Sequence, residues 1–196
     1  LHIGYRVAEQ QLDAGFYDLL ASESRLTSLL AIAKGDVPVS HWASLGRPFY
    51  AVGAEAGLRS WSGSMFEYLM PTLVMRSPLE SLLERTEVEN VEKQIAYGLE
   101  QDVPWGISES AFSSRDRALT YQYKAFGVPE LGFKRGLKED LVIAPYATVL
   151  AALVAPVAAS ANLARLANLD VLGRYGFYDA LDFTKLRVPD GSTFVA

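Results

Sequence analysis

The sequence predicts an all-α fold, either an α/α toroid or a fragment of one, with long loops rich in aromatic residues and glycine. Apolar residues recur at helical spacing over several segments, which is the pattern of amphipathic or buried helices. The connections between these segments are irregular and contain many glycines and aromatic residues. Helix pairs with long loops at one end are typical of a toroid, and the length of 196 residues fits a single domain over residues 1–196.

The first predicted helix runs from Phe16 to Lys34 and is closed by Gly35, because glycine favours the end of a helix. One stripe of this helix carries three leucines and a carboxylate, namely Leu19, Glu23, Leu26 and Leu30. A carboxylate in an apolar stripe is costly to bury unless it is paired or used. The pattern therefore marks Glu23 as a candidate functional residue.

Three shorter elements are predicted next along the chain. They are a short helix over Pro38–Leu45, a hairpin over Phe49–Ser60 that turns at Gly53 and Gly57, and a helix over Ser64–Met75 that Pro71 kinks or splits.

The clearest helix start lies in Ser77-Pro78-Leu79-Glu80. The serine suits the N-cap, the proline suits the first helical position, and the glutamate is placed to close a capping box. The helix that this signal opens is predicted to end near Asp102. Its outer face carries alternating charges, which indicates a solvated surface.

Residues 103–133 are predicted to form a long loop with one short strand at Leu119–Phe126. Long loops on a helical scaffold often carry the functional residues. Two apolar helices follow, over Tyr146–Ala155 and Val157–Asn168, and then a glycine-aromatic turn over Gly173–Asp179.

The composition argues against several classes of function. The net charge of −5 is small and scattered, so it provides no electrostatic footprint for nucleic acid. The chain has no cysteine, and His2 and His41 lie far apart, so we expect no metal site and no other cofactor. Phosphate-binding and dinucleotide-binding glycine motifs and a serine nucleophile elbow are also missing from the sequence.

The uncharged segment Leu141–Ala164 is long enough to cross a bilayer. Pro145 and Pro156 interrupt it, and Ser160 and Asn162 make its far end polar. We therefore interpret it as two consecutive buried helices and expect no membrane span in this segment.

Glu109 is the first candidate catalytic residue. It lies in Trp105-Gly106-Ile107-Ser108-Glu109-Ser110, where an aromatic ring and two hydroxyls flank a carboxylate. An aromatic ring can stack on the apolar face of a sugar. It also excludes water from a neighbouring carboxyl group, which raises the pKa of that group. This reading makes Glu109 a general acid/base in a sugar cleft, and the alternative is a loop carboxylate that caps a backbone turn.

Glu23 is the second candidate, as a partner carboxylate that acts as nucleophile or base. The alternative is a buried glutamate that forms a salt bridge with Arg25 or Arg47. Asp179, after an aromatic turn, and Glu67, between two aromatic residues, are reserve candidates.

Aromatic and basic side chains near glycine-containing loops are candidates for binding a sugar. A core role is more common for any single aromatic residue, but the set recurs beside glycines in loops, which favours a cleft; surface ion pairs explain the basic residues equally well. The aromatic set is Trp42, Trp61, Trp105, Tyr121, Tyr123 and Tyr175, and the basic set is Lys34, Arg47 and Arg59.

Several long and unusual motifs resemble the glucoamylase-like region of cyclic β-1,2-glucan synthases. They extend over essentially the whole chain and comprise residues 17–25, Ile32 to Pro38, His41-Trp42, Leu45-Gly46-Arg47, residues 61–71, residues 105–110, residues 121–123, Phe126 to Pro129, Ala144 to Thr148 and residues 173–181.

This resemblance implies a piece of an (α/α)6 barrel in a large bacterial inner-membrane enzyme, at its cytoplasmic or periplasmic face. The remainder of that polypeptide would contain a glycosyltransferase region and a phosphorylase-like region. The region resembled here would bind a β-1,2-glucan chain and close it into a ring by retaining transglycosylation. Glu109 would be the acid/base, acting directly or through a substrate hydroxyl, and Glu23 the nucleophile.

The residues predicted to bind the substrate are Trp42, Arg47, Trp61, Trp105, Tyr121, Tyr175 and Asp179. A full barrel of this type needs more helices than the chain can provide, so the chain alone is expected to lack some sugar-binding positions. Two other functions stay open at this point: an inverting β-1,2-glucan hydrolase, and a glucan-binding module without catalysis.

Overall fold

Helices and short antiparallel strand pairs alternate along the chain in a computed structural model that describes residues 1–52 and 55–196. The structure is 34% helical and 18% strand, and its strands form small sheets. The predicted all-α fold, and with it an all-α barrel, is therefore wrong. Apart from the predicted hairpin and the strand within residues 119–126, the strands were missed because they are two to six residues long and lie inside irregular connections, where apolar and polar residues do not alternate.

The helices within residues 1–52 and 55–196 are α1 (Arg25–Lys34), α2 (Ser40–Ser44), α3 (Met65–Leu69), α4 (Leu82–Glu100), α5 (Pro145–Ala151) and α6 (Pro156–Ala167). Two 3-10 helices, Met70–Leu73 and Leu137–Glu139, are also present in this part of the chain.

Five antiparallel strand pairs lie in the same described ranges. They are β1 (Tyr5–Arg6) with β2 (Gln11–Leu12), β3 (Phe49–Val52) with β4 (Glu55–Leu58), β5 (Ser110–Arg115) with β6 (Tyr121–Lys124), β7 (Val142–Ile143) with β10 (Leu181–Asp182), and β8 (Leu172–Gly173) with β9 (Gly176–Phe177).

The first helix is shorter than predicted. It begins at Arg25 rather than near Phe16, so Glu23 lies in the turn that precedes α1 and not on a helical stripe. The preceding backbone is pinned elsewhere: the N–H of Leu20 donates to the carbonyl of Gly46, and the N–H of Gly46 donates to the carbonyl of Asp18. Gly35, at φ 80°, ends the helix as predicted.

The start of α4 also differs from the prediction. Ser81, not Ser77, is its N-cap, and the Ser81 hydroxyl accepts a hydrogen bond from the N–H of Glu84. The Ser77 hydroxyl instead donates to the Glu87 carboxylate at 2.7 Å. Two serines each stand three residues before a glutamate, so the sequence motif alone does not select the one that begins the helix.

The other local predictions agree better with the structure. Pro71 lies near the start of the 3-10 helix Met70–Leu73, which directly follows α3. The two apolar helices near the end of the chain are α5 and α6, each starting with proline. β3 and β4 form the predicted hairpin, but Gly57, a predicted turn residue, lies inside β4 opposite Tyr50. The predicted turn residue Gly53 lies outside the described residues.

The core lies between α3, α4, α5 and the short sheets. Its fully buried members include Leu58, Met65, Tyr68, Leu69, Leu131, Ile143, Leu166 and Leu181. Within the two described ranges, no helix combines the length and the apolar character that crossing a membrane requires.

Candidate functional site

Two buried amide side chains hold the backbone that leads to Glu109. The Gln94 amide of α4 donates to the carbonyl of Ile107 at 2.9 Å and accepts from its N–H at 2.7 Å. Asn162 of α6 pairs in the same way with the carbonyl and the N–H of Trp105. These paired bonds replace those of a neighbouring strand, so Glu109 is presented from a rigid segment.

The carboxylate of Glu109 is bound by a tyrosine on the neighbouring strand. The Tyr123 hydroxyl donates to Glu109 Oε2 at 2.8 Å. Burial raises the pKa of Tyr123, and its hydrogen bond to Glu109 raises it further. The Tyr146 hydroxyl lies beside the same residue, 2.8 Å from Ser108 Oγ and 2.9 Å from the Glu109 carbonyl oxygen. Burial raises the pKa of Tyr146 to about 12.

Glu23 lies in a turn that a buried arginine attaches to the core. The Arg25 guanidinium donates to the backbone carbonyls of Ser22, Glu67 and Tyr68 and forms a 3.1 Å ion pair with Glu87. Arg25 is thus committed to Glu87, and Glu23 is not its salt-bridge partner. The Glu23 carboxylate instead accepts from the Ser22 hydroxyl at 3.2 Å.

The two predicted catalytic glutamates share one electrostatic neighbourhood. Burial raises the pKa of Glu23, and the charges of Glu67 and Glu109 raise it as well. Burial also raises the pKa of Tyr17, and Glu23, Glu109 and Glu67 all contribute to that increase. The fold therefore brings together carboxylates from the turn before α1 and from the segment before β5.

Glu67 belongs to this cluster, but its carboxylate organises the neighbouring loop. It accepts hydrogen bonds from the N–H groups of Trp61, Ser62 and Ser64 at 3.0–3.1 Å and from the hydroxyls of Ser60, Ser62 and Ser64. It also closes a capping box with Ser64 at the start of α3. A carboxylate held by so many donors serves as a structural anchor.

We expect Glu67→Gln to lower the free energy of unfolding by about 3 kcal/mol. The backbone N–H groups now donate to a charged carboxylate, whereas glutamine is neutral and would turn an NH₂ group towards some of these donors. Denaturant unfolding followed by circular dichroism measures the change. The matched control is Glu92→Gln on the exposed face of α4, which should alter stability by less than about 0.5 kcal/mol. Equal stability of the two variants would contradict the anchoring role of Glu67.

The three tryptophans have different environments. Trp61 belongs to the loop that Glu67 organises and is 65% exposed, so its ring is available to a ligand. Trp105 is only 7% exposed and packs in the core, which corrects its prediction as a stacking platform. Trp42 is partly buried and lines a separate hollow with Leu29 and Val39.

Of the other predicted binding residues, Arg47 is bonded to the backbone, whereas Tyr121 and Tyr175 are exposed. Arg47 donates to the carbonyls of Trp42, Ala43 and Leu45 and so caps the end of α2, which leaves it committed to the backbone. Tyr121 is 50% exposed on β6 and is bonded to Arg115. Tyr175 is 92% exposed and lies beside Arg174.

Asp179 lies close to the Glu109 side of the site. Its Oδ2 accepts from the N–H of Ala111 at 2.8 Å, and its charge contributes to the raised pKa values of Tyr123 and Tyr146. Lys134 is a cation in the same region, and its pKa is lowered by burial and by Lys124.

Three tyrosines and a lysine around the glutamates were not assigned these roles from the sequence. No sequence pattern marked Tyr17, Tyr146 or Lys134 as a site residue, and Tyr123 was considered only as a stacking residue. The predicted strand over Leu119–Phe126 already places Tyr121 and Tyr123 on one face, since alternate side chains of a strand share a face, but it does not show that this face meets Glu109.

Comparisons with known proteins identify the family of the chain. The Glycoamylase family model, described as "putative glucoamylase", matches residues 15–194. A cyclic beta-(1,2)-glucan synthase, NdvB, from Rhizobium meliloti is 58% identical over 191 residues, which are 97% of this chain. The chain spans 7% of the length of that relative. The resemblance to the glucoamylase-like region of cyclic β-1,2-glucan synthases is therefore confirmed.

Two solved structures share the fold. A "putative glucoamylase" from Bacteroides caccae aligns with a TM-score of 0.66 at 20% identity, covering 94% of this chain and 48% of that one. A "putative glucoamylase" from Bacteroides fragilis aligns with a TM-score of 0.56 at 19% identity, covering 94% of this chain and 47% of that one.

Proposed function

Because the chain belongs to the Glycoamylase family, we propose that it acts on a β-1,2-linked glucan and closes the linear chain into a ring by retaining transglycosylation. The observation that carries the proposal is the pairing of Glu23 and Glu109. The charge of Glu109 contributes to the raised pKa of Glu23 although the two residues are distant in the sequence, and the exposed Tyr123 is hydrogen-bonded to Glu109. Such a pair is the usual machinery for cleaving a glycosidic bond.

We assign the roles of the two glutamates from their surroundings. Burial and neighbouring negative charges raise the pKa of Glu23, which favours its protonated form. The hydroxyl of Tyr123 donates to Glu109 Oε2 and so fixes the orientation of that carboxylate. Glu23 then acts as the acid/base and Glu109 as the nucleophile, which is the reverse of the roles that the resemblance implied.

The reaction proceeds in two steps. In the first, a Glu109 oxygen attacks the anomeric carbon while Glu23 gives its proton to the departing glycosidic oxygen, directly or through a substrate hydroxyl. In the second, Glu23 takes the proton of an incoming sugar hydroxyl, whose oxygen displaces Glu109 from the anomeric carbon. Two displacements at one carbon restore the original β configuration.

Ring closure requires a sugar hydroxyl to outcompete water at the second step. Aromatic side chains that hold the far end of the glucan near the intermediate would give that hydroxyl the advantage of proximity. Trp61 and Tyr121, each at least half exposed, are suitable platforms for this purpose.

The high identity to a short part of a much longer synthase supports a wider proposal. This chain would work as one region of a large polypeptide, whose glycosyltransferase and phosphorylase-like regions make the linear glucan and adjust its length. Attachment to the bacterial inner membrane would then come from the rest of that polypeptide.

Product analysis tests the proposed function. The chain is incubated with linear β-1,2-glucan, the products are separated by size, and their masses are determined by mass spectrometry. Cyclic or lengthened products are expected. Shorter linear products alone would instead indicate a hydrolase, and binding without conversion, in this chain and in the polypeptide that contains it, would indicate a glucan-binding module.

A further inference from the structure

A small cavity lies between the β5–β6 hairpin, the segment that follows β9, and Val195 and Ala196. We propose that this cavity is a binding subsite for a single hexopyranose ring of the glucan, next to the nucleophile. The proposal rests on the proposed function and adds a defined place and a defined ligand to it.

The size and the walls of the cavity suit one sugar ring. Its volume is about 230 Å³, below the range of cavities that hold drug-sized ligands. Phe112, Tyr121 and Tyr178 contribute to its walls. Tyr121 and Tyr178 are 50% and 51% exposed, so their rings can receive the apolar face of a pyranose.

Phe112 gives the cavity a fixed wall. Its ring packs edge to face against Phe126 at a centroid distance of 5.3 Å, and the Arg187 guanidinium lies 4.8 Å from its centre. Arg187 is itself held by Asp182 at 2.6 Å. Because the Phe112 ring is already held in place, its side chain loses little conformational entropy when a sugar binds.

Asp179 provides the polar contact that a sugar needs. Its Oδ2 accepts from the N–H of Ala111, and its second oxygen has no hydrogen bond to any described residue. By contrast, both oxygens of Asp182, which also lines the cavity, are engaged by Arg187 and by backbone N–H groups. Asp179 is thus the carboxylate that can accept a sugar hydroxyl.

The cavity is adjacent to Glu109. Ala111, which lines it, stands two residues after Glu109. Tyr121 and Tyr123 are two residues apart on β6 and therefore share a face, and Tyr123 is bonded to Glu109. A ring in the cavity would consequently lie beside the unit that reacts.

The test uses the disaccharide 2-O-β-D-glucopyranosyl-D-glucose as the probe, titrated into the ¹⁵N-labelled chain and followed by NMR. We expect shifts in the amide signals of residues 111–113 and 178–180. Tyr178→Leu should weaken binding about tenfold because it removes the ring. Tyr178→Phe keeps the ring and should bind within about twofold of the unchanged chain. Thermal unfolding verifies that both variants are folded.

The outcomes separate the subsite from the proposed function, since conversion of linear β-1,2-glucan is assayed on the same samples. Loss of binding in Tyr178→Leu supports the subsite whether or not conversion occurs. Equal binding by Tyr178→Leu, shifts confined to other residues, or no binding by the unchanged chain would overturn the subsite. Conversion by the unchanged chain would leave the proposed function standing in each of those cases.

Discussion

Glu109→Gln is expected to lower turnover of β-1,2-glucan by at least about 10⁴-fold while leaving glucan affinity nearly unchanged. The amide cannot attack the anomeric carbon, whereas it has nearly the shape of the carboxylate and can still accept from the Tyr123 hydroxyl. Initial rates of product formation measure the first effect, and calorimetric titration with glucan measures the second.

The control for this variant is Glu100→Gln at the exposed end of α4, which should keep the full rate. Retention of more than about a tenth of the activity by Glu109→Gln would exclude Glu109 as the nucleophile, because a direct chemical role cannot be lost at so small a cost.

Glu23→Gln is expected to reduce turnover of the natural glucan by about 10³-fold, since general acid–base groups contribute on that order. A glycosyl fluoride leaves without protonation, so the first step of its cleavage should stay close to the normal rate in Glu23→Gln. Glu109→Gln should be slow with both substrates. Rapid-mixing measurement of fluoride release distinguishes the two patterns, and the opposite pattern would exchange the roles of the two glutamates.

The pH profile provides a second readout for Glu23. Burial, with help from Glu67 and Glu109, raises its pKa, so the protonated form persists to higher pH than in an ordinary glutamate. Activity on the natural glucan should fall as pH rises through this raised pKa. Fluoride release by Glu23→Gln should lack that decline, and a decline at the same pH in the variant would assign it to another group.

The long amphipathic helix and the two proline-initiated helices could be predicted because their signals are local. The apolar spacing of α4 lies within the helix itself, and Pro145 and Pro156 stand in the first turn of the helices that they begin. The start of α1 was misplaced because its cause is distant. Backbone hydrogen bonds between Leu20 and Gly46 hold the preceding segment extended, and nothing near Glu23 in sequence announces them.

The same distinction holds for the site. A carboxylate in an unusual aromatic segment indicated Glu109, and a carboxylate among leucines indicated Glu23. Whether an aromatic ring faces the core or the solvent depends on the tertiary packing, so Trp105 and Trp61 could not be distinguished from their neighbours in sequence. The hydrogen bond from Tyr123 to Glu109 depends on a strand pairing with a register shift, which local patterns do not specify.

Covalent trapping tests the central claim most directly. Glu23→Gln is mixed with the β-fluoride of 2-O-β-D-glucopyranosyl-D-glucose. Fluoride leaves without protonation, so the first step of the reaction can proceed in this variant. The second step lacks its general base, so the glycosyl-enzyme should accumulate. Peptide mapping by mass spectrometry is predicted to find the disaccharide esterified to Glu109. An α-configured product without any adduct, or an ester on a different carboxylate, would contradict the account.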